Sequence, residues 1–142
     1  MFVKQLSVFI ENREGRMEEV LQSLKESSVN IVSLSLADTS EYGLLRLLVD
    51  NPEKGQAALK KSGFSAMLSD VLAIQISHRI GRLQELLEAI CEAHINIEYM
   101  YALSTGKADA SIVLKTSDLT KAAQTLEKLG VEIIQQDEIA AM

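Results

Sequence analysis

Two short segments of this chain place a glycine among charged and hydrogen-bonding residues just after an alternating apolar run. The first is Asn12, Arg13, Glu14, Gly15, Arg16 and Met17; the second is His78, Arg79, Ile80, Gly81, Arg82 and Leu83. In both, the pattern reads as a strand end, a turn and a helix start. The first amides of a helix lack intrahelical partners and carry the positive end of its dipole. Such a start suits a small carboxylate, and glycine lets a ligand approach the backbone closely. A plainer reading stands beside this one, since strand-to-helix turns favour Gly in any case. The residues around the glycines divide in the same way. Arg13, Arg16, Arg79 and Arg82 can grip a carboxylate bidentately or lie solvated. Glu14 can pair with a ligand cation, or be an acid that the dipole favours with no ligand present. Further on, Asn30 precedes Ile31 and Asn96 precedes Ile97. A carboxamide has one acceptor and two donors, enough for an ammonium and a carboxylate together. An Asn at the end of a helix also tolerates positive φ and then needs no ligand.

Other chemistry is thinly represented. Cys91 and His94 lie three residues apart on an expected helix and so share a face. A Cys–His nucleophile needs an orienting third group and an oxyanion hole, and neither is visible. The spacing instead makes both of them packing residues. Adding His78 gives three metal-ligating types, but no CxxC or HxxxH spacing supports a metal site. There is no P-loop and no GxGxxG, and no cofactor is expected. Met17, Met67 and Met100 fall at core spacing.

The elements that must position these residues occur twice. Residues 11–31 and 77–97 align at an offset of 66, pairing Arg13 with Arg79, Gly15 with Gly81, Glu19 with Glu85, and Asn30 with Asn96. From Leu59/Leu126 and Gly63/Gly130 the offset is 67, so one residue is inserted around Asp38–Leu45 or its counterpart. Two similar units, 1–69 and 70–142, explain the length. Strands are expected at 4–10, 31–37, 44–49 and 64–68, and again at 72–76, 97–103, 108–115 and 131–135, with a turn at 104–107. Apolar residues at helical spacing mark helices from Met17 and from Leu83. A helix capped by Asn51 with Pro52 at its first position ends at Gly63. Its counterpart, capped by Ser117 or Asp118, ends at Gly130. Each unit is thus βαββαβ, an α+β ferredoxin-like sandwich with an antiparallel sheet and both helices on one face. The opposite face would carry Val3, Phe9, Leu48, Tyr99, Tyr101, Leu103 and Val113. That is apolar enough to expect a homodimer.

Composition narrows the function. The 142 residues carry 20 acids against 14 bases, a net charge of −6, which gives no cationic surplus for nucleic acid. One Cys excludes an internal disulfide framework and fits a reducing compartment. No apolar run approaches the ~20 residues of a membrane helix, and the N-terminus lacks the layout of a signal peptide. A compact cytoplasmic protein is expected, with no membrane partner.

The string Glu11-Asn12-Arg13-Glu14-Gly15-Arg16-Met17, followed by Ser28-Val29-Asn30-Ile31, resembles the start of an ACT domain. It is similar in pattern to the regulatory ACT segment of phosphoglycerate dehydrogenases. Arg79-Ile80-Gly81-Arg82-Leu83, then His94-Ile95-Asn96-Ile97, follows the looser family pattern, so the resemblance covers the chain as two tandem units. It implies a non-catalytic regulatory protein that binds a free amino acid at an interface between ACT units. The implied contacts are Asn12, Arg13, Glu14, Gly15, Arg16, Met17, Asn30 and Ile31 in the first unit. In the second they are His78, Arg79, Ile80, Gly81, Arg82, Leu83, Asn96 and Ile97. Asn12 matches a side-chain contact of the dehydrogenase type, and His78 stands in its place in the second unit. Glu14 replaces the usual Pro, and Arg16 and Arg82 replace an apolar residue. With both units consuming the chain, the output is expected to be a partner, such as a biosynthetic enzyme regulated in trans. A subunit like the acetolactate synthase small subunit is one alternative. A small ferredoxin-like enzyme or metal protein using His78, Cys91 and His94 is another.

Overall fold

The computed structural model describes residues 2–38, 41–104 and 110–142. The order is β1 (Val3–Glu11), α1 (Arg16–Glu26), β2 (Ile31–Asp38), β3 (Tyr42–Val49), α2 (Pro52–Lys61) and β4 (Ser65–Ile76). Then follow α3 (Arg82–Glu92), β5 (Ile97–Leu103), β6 (Ala110–Thr116), α4 (Leu119–Lys128), β7 (Glu132–Ile134) and α5 (Gln136–Ala140). The βαββαβ pattern occurs twice, as two tandem ferredoxin-like units. Most of the expected turn at 104–107 and the start of the strand expected at 108 lie outside the described residues, as do residues 39 and 40.

One compact unit comprises residues 4–69 with 139–142; the other comprises residues 70–138 with 2–3. In the first, antiparallel strands run in the order β2-β3-β1, with Leu6 and Leu34 both opposite Leu47. Alternation along β1 sends Leu6, Val8 and Ile10 to the helix side. There they join Leu45, Leu47, Val20, Leu24 and Leu59 in one core. The first part of β4 closes this unit, with Ala66 buried in the same core and Leu68 packed against it. In the second, β7 and β6 flank β4, and β5 pairs with β6. Leu72, Ile74 and Ile76 meet Leu86, Ile90, Leu114 and Leu126 in its core. Burying side chains of this size contributes about 1.5–3 kcal/mol each. Helix and sheet approach closely at Gly55, where an added Cβ would come within 2.9 Å of Leu6 Cδ1.

Local chemistry sets the helix boundaries. Asn51 Oδ1 accepts from the Lys54 N–H at 3.2 Å and so starts α2. Asp118 Oδ1 accepts from the Lys121 N–H at 3.0 Å and starts α4. Ser117 therefore is not the cap; its Oγ accepts from the Asn96 N–H instead. Gly63 and Gly130 follow the helix ends at φ +90° and +76°.

Four expectations change. The strands expected at 64–68 and 72–76 are one 12-residue strand, β4. Ser69-Asp70-Val71 holds no Gly or Pro to interrupt it. The short helix α5 lacks the apolar period that would have announced it. Met67 is exposed rather than in the core. On the sheet face away from the helices, Val3, Leu48, Leu103 and Val113 are already buried within the single chain. Only Phe9 of that set is well exposed, while Tyr99 and Tyr101 are half-buried.

Candidate functional site

Each turn is built the same way. β1 ends at Glu11, the Asn12 N–H donates to the Glu41 carbonyl at 2.9 Å, and Gly15 enters α1 at φ +87°. β4 ends at Ile76, and Gly81 enters α3 at φ +83°. Only glycine takes such angles without strain, and here it turns the chain from strand into helix. No side chain caps α1 or α3, whereas α2 and α4 are each capped by their own Asn or Asp. The two helix starts singled out in the sequence are thus the two whose first-turn amides lack a side-chain partner.

The four arginines are engaged within their own units. Arg13 pairs with Glu11 at 3.0 Å. Arg16 pairs with Glu19, and its guanidinium lies 4.6 Å from the centre of the Phe64 ring. Arg79 makes a bidentate pair with Glu85, at 3.2 and 2.9 Å. Arg82 reaches the same carboxylate at 3.4 Å and donates to the Leu129 carbonyl at 3.0 Å. The hydrogen bond from Arg79 is the main reason the Glu85 carboxyl sits below its ordinary range. Asn12, Glu14, His78 and Ile80 are exposed, and Met17 is partly buried against the first core.

An open cleft of about 760 Å³ adjoins the second turn. Ser77, His78, Arg79, Ile80 and Gly81 form its rim. Ile76, Leu83, Leu87 and Ala110 give it an apolar wall, and Gln84 and Glu88 continue along α3. Gln84 Nε2 donates to Glu88 Oε2 at 3.2 Å. The sequence reading named five of these residues: His78, Arg79, Ile80, Gly81 and Leu83. It missed Gln84, Leu87 and Glu88, which follow Ile80 and Leu83 at helical spacing. Ala110 reaches the site only through its register opposite Ile76, which no local pattern reveals.

Asn30 and Ile31 lie elsewhere, lining a shallower cleft of about 410 Å³ with Leu21, Lys25, Ser28 and Val29. The Asn30 N–H donates to Asp50 Oδ1 at 2.9 Å, and its carbonyl accepts from the Asp50 N–H. Asn96 is held in the same way by Ser117, and its side chain is exposed like that of Asn30. Positive φ falls on Ser28 and His94, not on the two asparagines, so left-handed backbone is not what these positions require. Each Asn lies beyond the end of a helix whose start carries the glycine turn. An 11-residue helix is about 16 Å long, so within one unit the turn and the Asn do not meet one small ligand.

Cys91 and His94 are exposed, which corrects their expected packing role; α3 ends at Glu92, and His94 takes φ +60° past it. Among the described residues, no group of three or more His, Cys, Asp or Glu is placed to hold a metal. Among the described residues no helix is long and apolar enough to cross a membrane.

The whole chain, residues 1–142, matches the family model described as an ACT domain pair. The chain belongs to this family. It is 30% identical to protein BT0572 from Bacteroides thetaiotaomicron, covering 100% of this chain and 98% of that one at a TM-score of 0.93. It shares the fold of the ligand-free regulatory subunit of aspartate kinase from Thermus thermophilus. There the identity is 15%, the coverage 88% and 90%, and the TM-score 0.63. No curated protein matches it. An ACT domain pair is a regulatory module, which accords with the paired turns.

Proposed function

We propose that this ACT domain pair is a non-catalytic sensor that binds a free amino acid and regulates a separate protein. The observation that carries the reading is the cleft beside Gly81. A helix start with no side-chain cap lies next to an apolar wall of Ile76, Leu83, Leu87 and Ala110. Backbone amides there suit a carboxylate, and the wall suits the carbon skeleton attached to it. Likeness to a regulatory subunit of aspartate kinase supports an output through a separate biosynthetic enzyme. Ligand can signal only by binding one arrangement of protein and partner better than another.

The test is thermal unfolding against each of the twenty standard L-amino acids. At about 100 times its dissociation constant, a ligand of the native state adds about 2.7 kcal/mol, a shift of several degrees. One or a few amino acids should raise the midpoint, and their carboxamides should not. Protein free of carried-over ligand that responds to none of the twenty would reject the sensor reading in favour of a protein adaptor.

A further inference from the structure

We infer that the two pseudo-equivalent turns have diverged in charge, so that only the second accepts the ligand's carboxylate, and that the ligand is an α-amino acid with a non-acidic side chain. This rests on the amino-acid-binding reading and adds to it which turn works and what it excludes. At the offset of 66, Ser77, Ile80 and Gln84 of the second cleft stand where the first unit has Glu11, Glu14 and Glu18. Residues 11–19 contain four acids and two arginines; residues 77–85 contain one acid and two arginines.

The ion pairs sharpen the contrast. In the first turn Arg13 and Arg16 are each neutralised by one glutamate, Glu11 and Glu19. Glu14 and Glu18 then pair with no cation among the described residues and leave the turn negative. In the second turn one carboxylate, Glu85, serves both Arg79 and Arg82, so residues 77–85 keep one cation in excess, with Glu88 further along the cleft. A carboxylate arriving at the first turn meets like charge; at the second it meets opposite charge.

The exchange of Glu14 for Ile80 also changes the surface. Ile80 is 98% exposed at the rim, and Leu83 is 36% exposed beside it. These side chains extend the apolar wall toward solvent, where a bound hydrocarbon skeleton can cover them. At the far end of the cleft Glu88 offers a carboxylate, with Gln84 already donating to one of its oxygens. A ligand side chain lying along the wall therefore ends beside negative charge, which admits apolar or basic side chains and rejects aspartate and glutamate.

The experiment is isothermal titration of the intact protein with the twenty standard L-amino acids one at a time. With each binder, amide shifts of Gly15 and Gly81 are then followed by NMR. One molecule should bind per chain, and the Gly81 amide should move while that of Gly15 does not. Neither L-aspartate nor L-glutamate should bind. Ile80→Glu, at a fully exposed position, should weaken binding about tenfold by placing a like charge near the carboxylate. Glu18→Gln should leave affinity and stoichiometry unchanged. Two molecules per chain, movement at Gly15, binding of an acidic amino acid, or indifference to Ile80→Glu would each overturn the inference and leave the sensor reading standing. Absence of binding by all twenty would overturn both.

Discussion

Glu85 shows how much of the second turn is fixed by one side chain. Its carboxylate takes both nitrogens of Arg79 and one of Arg82, which ties the rim of the cleft to the first turns of α3. The hydrogen bond from Arg79 chiefly lowers the Glu85 carboxyl below its ordinary value of 4.5, and the same bond raises the Arg79 guanidinium. A carboxyl lowered in the folded state stabilises it above the unfolded value, and that stabilisation is lost as pH falls through the folded one. Both partners are solvent-exposed, so the effect on stability is small. Two outcomes follow. An NMR titration of Glu85 Cδ should give a midpoint below 4.5, and Glu85→Gln should lie below wild type in Tm at neutral pH, with the gap closing in acid. A midpoint at the ordinary value would mean that the fork between Arg79 and Glu85 does not persist in solution.

At the scale of elements, all four long helices end alike, with the chain turned back by a left-handed residue. After α2 and α4 that residue is Gly63 or Gly130; after α1 and α3 it is Ser28 or His94. The bonds are the same in each case, for example Val29 N–H to the Leu24 carbonyl and Phe64 N–H to the Leu59 carbonyl. A Cβ at positive φ carries a steric cost that glycine avoids, partly offset by the greater freedom of glycine in the unfolded chain. Ser28→Gly should therefore stabilise the protein by about 1 kcal/mol, a rise of about 2–4 °C in Tm. A fall in Tm would show that the Ser28 side chain contributes more than its backbone strain costs. These ends also mark the limit of what was legible in the sequence. Gly63, Gly130, Asn51 and Asp118 announced their boundaries because each residue type has a local reason to be there. Ser28 and His94 did not, since neither residue type favours positive φ and it is the hydrogen bonds closing the helix end that hold them there. The same division holds at the site. The turns, the glycines and the helical stripes are local and readable, whereas Ala110 arrives from a distant strand. Likewise the burial of Leu48 and Val113 depends on packing that alternation alone cannot supply.

At the scale of the molecule, the units are not simply the two halves of the chain. The division falls between Ser69 and Asp70, inside the unbroken strand β4, and each terminus belongs to the unit built from the other half. Phe2 packs against the core of the second unit, and residues 139–142 belong to the first, with Ile139 fully buried. Ending the chain at 138 would thus remove apolar packing from the unit made of residues 4–69 while leaving every strand of the second unit intact. Removing a buried aliphatic side chain costs about 2–5 kcal/mol, a large fraction of the stability of a domain. Deletion of 139–142, or Ile139→Ala in the full chain, should therefore lower the Tm. Hydrogen exchange should quicken first in β1 and β3, with β4 beyond Asp70 and β6 protected longer. Equal acceleration in both units would mean that they unfold as one cooperative body. Selective acceleration in the second unit would mean that Ile139 supports residues 70–138 instead. The Ala variant separates loss of the side chain from loss of the terminal backbone, since it keeps α5 and removes only the buried aliphatic group.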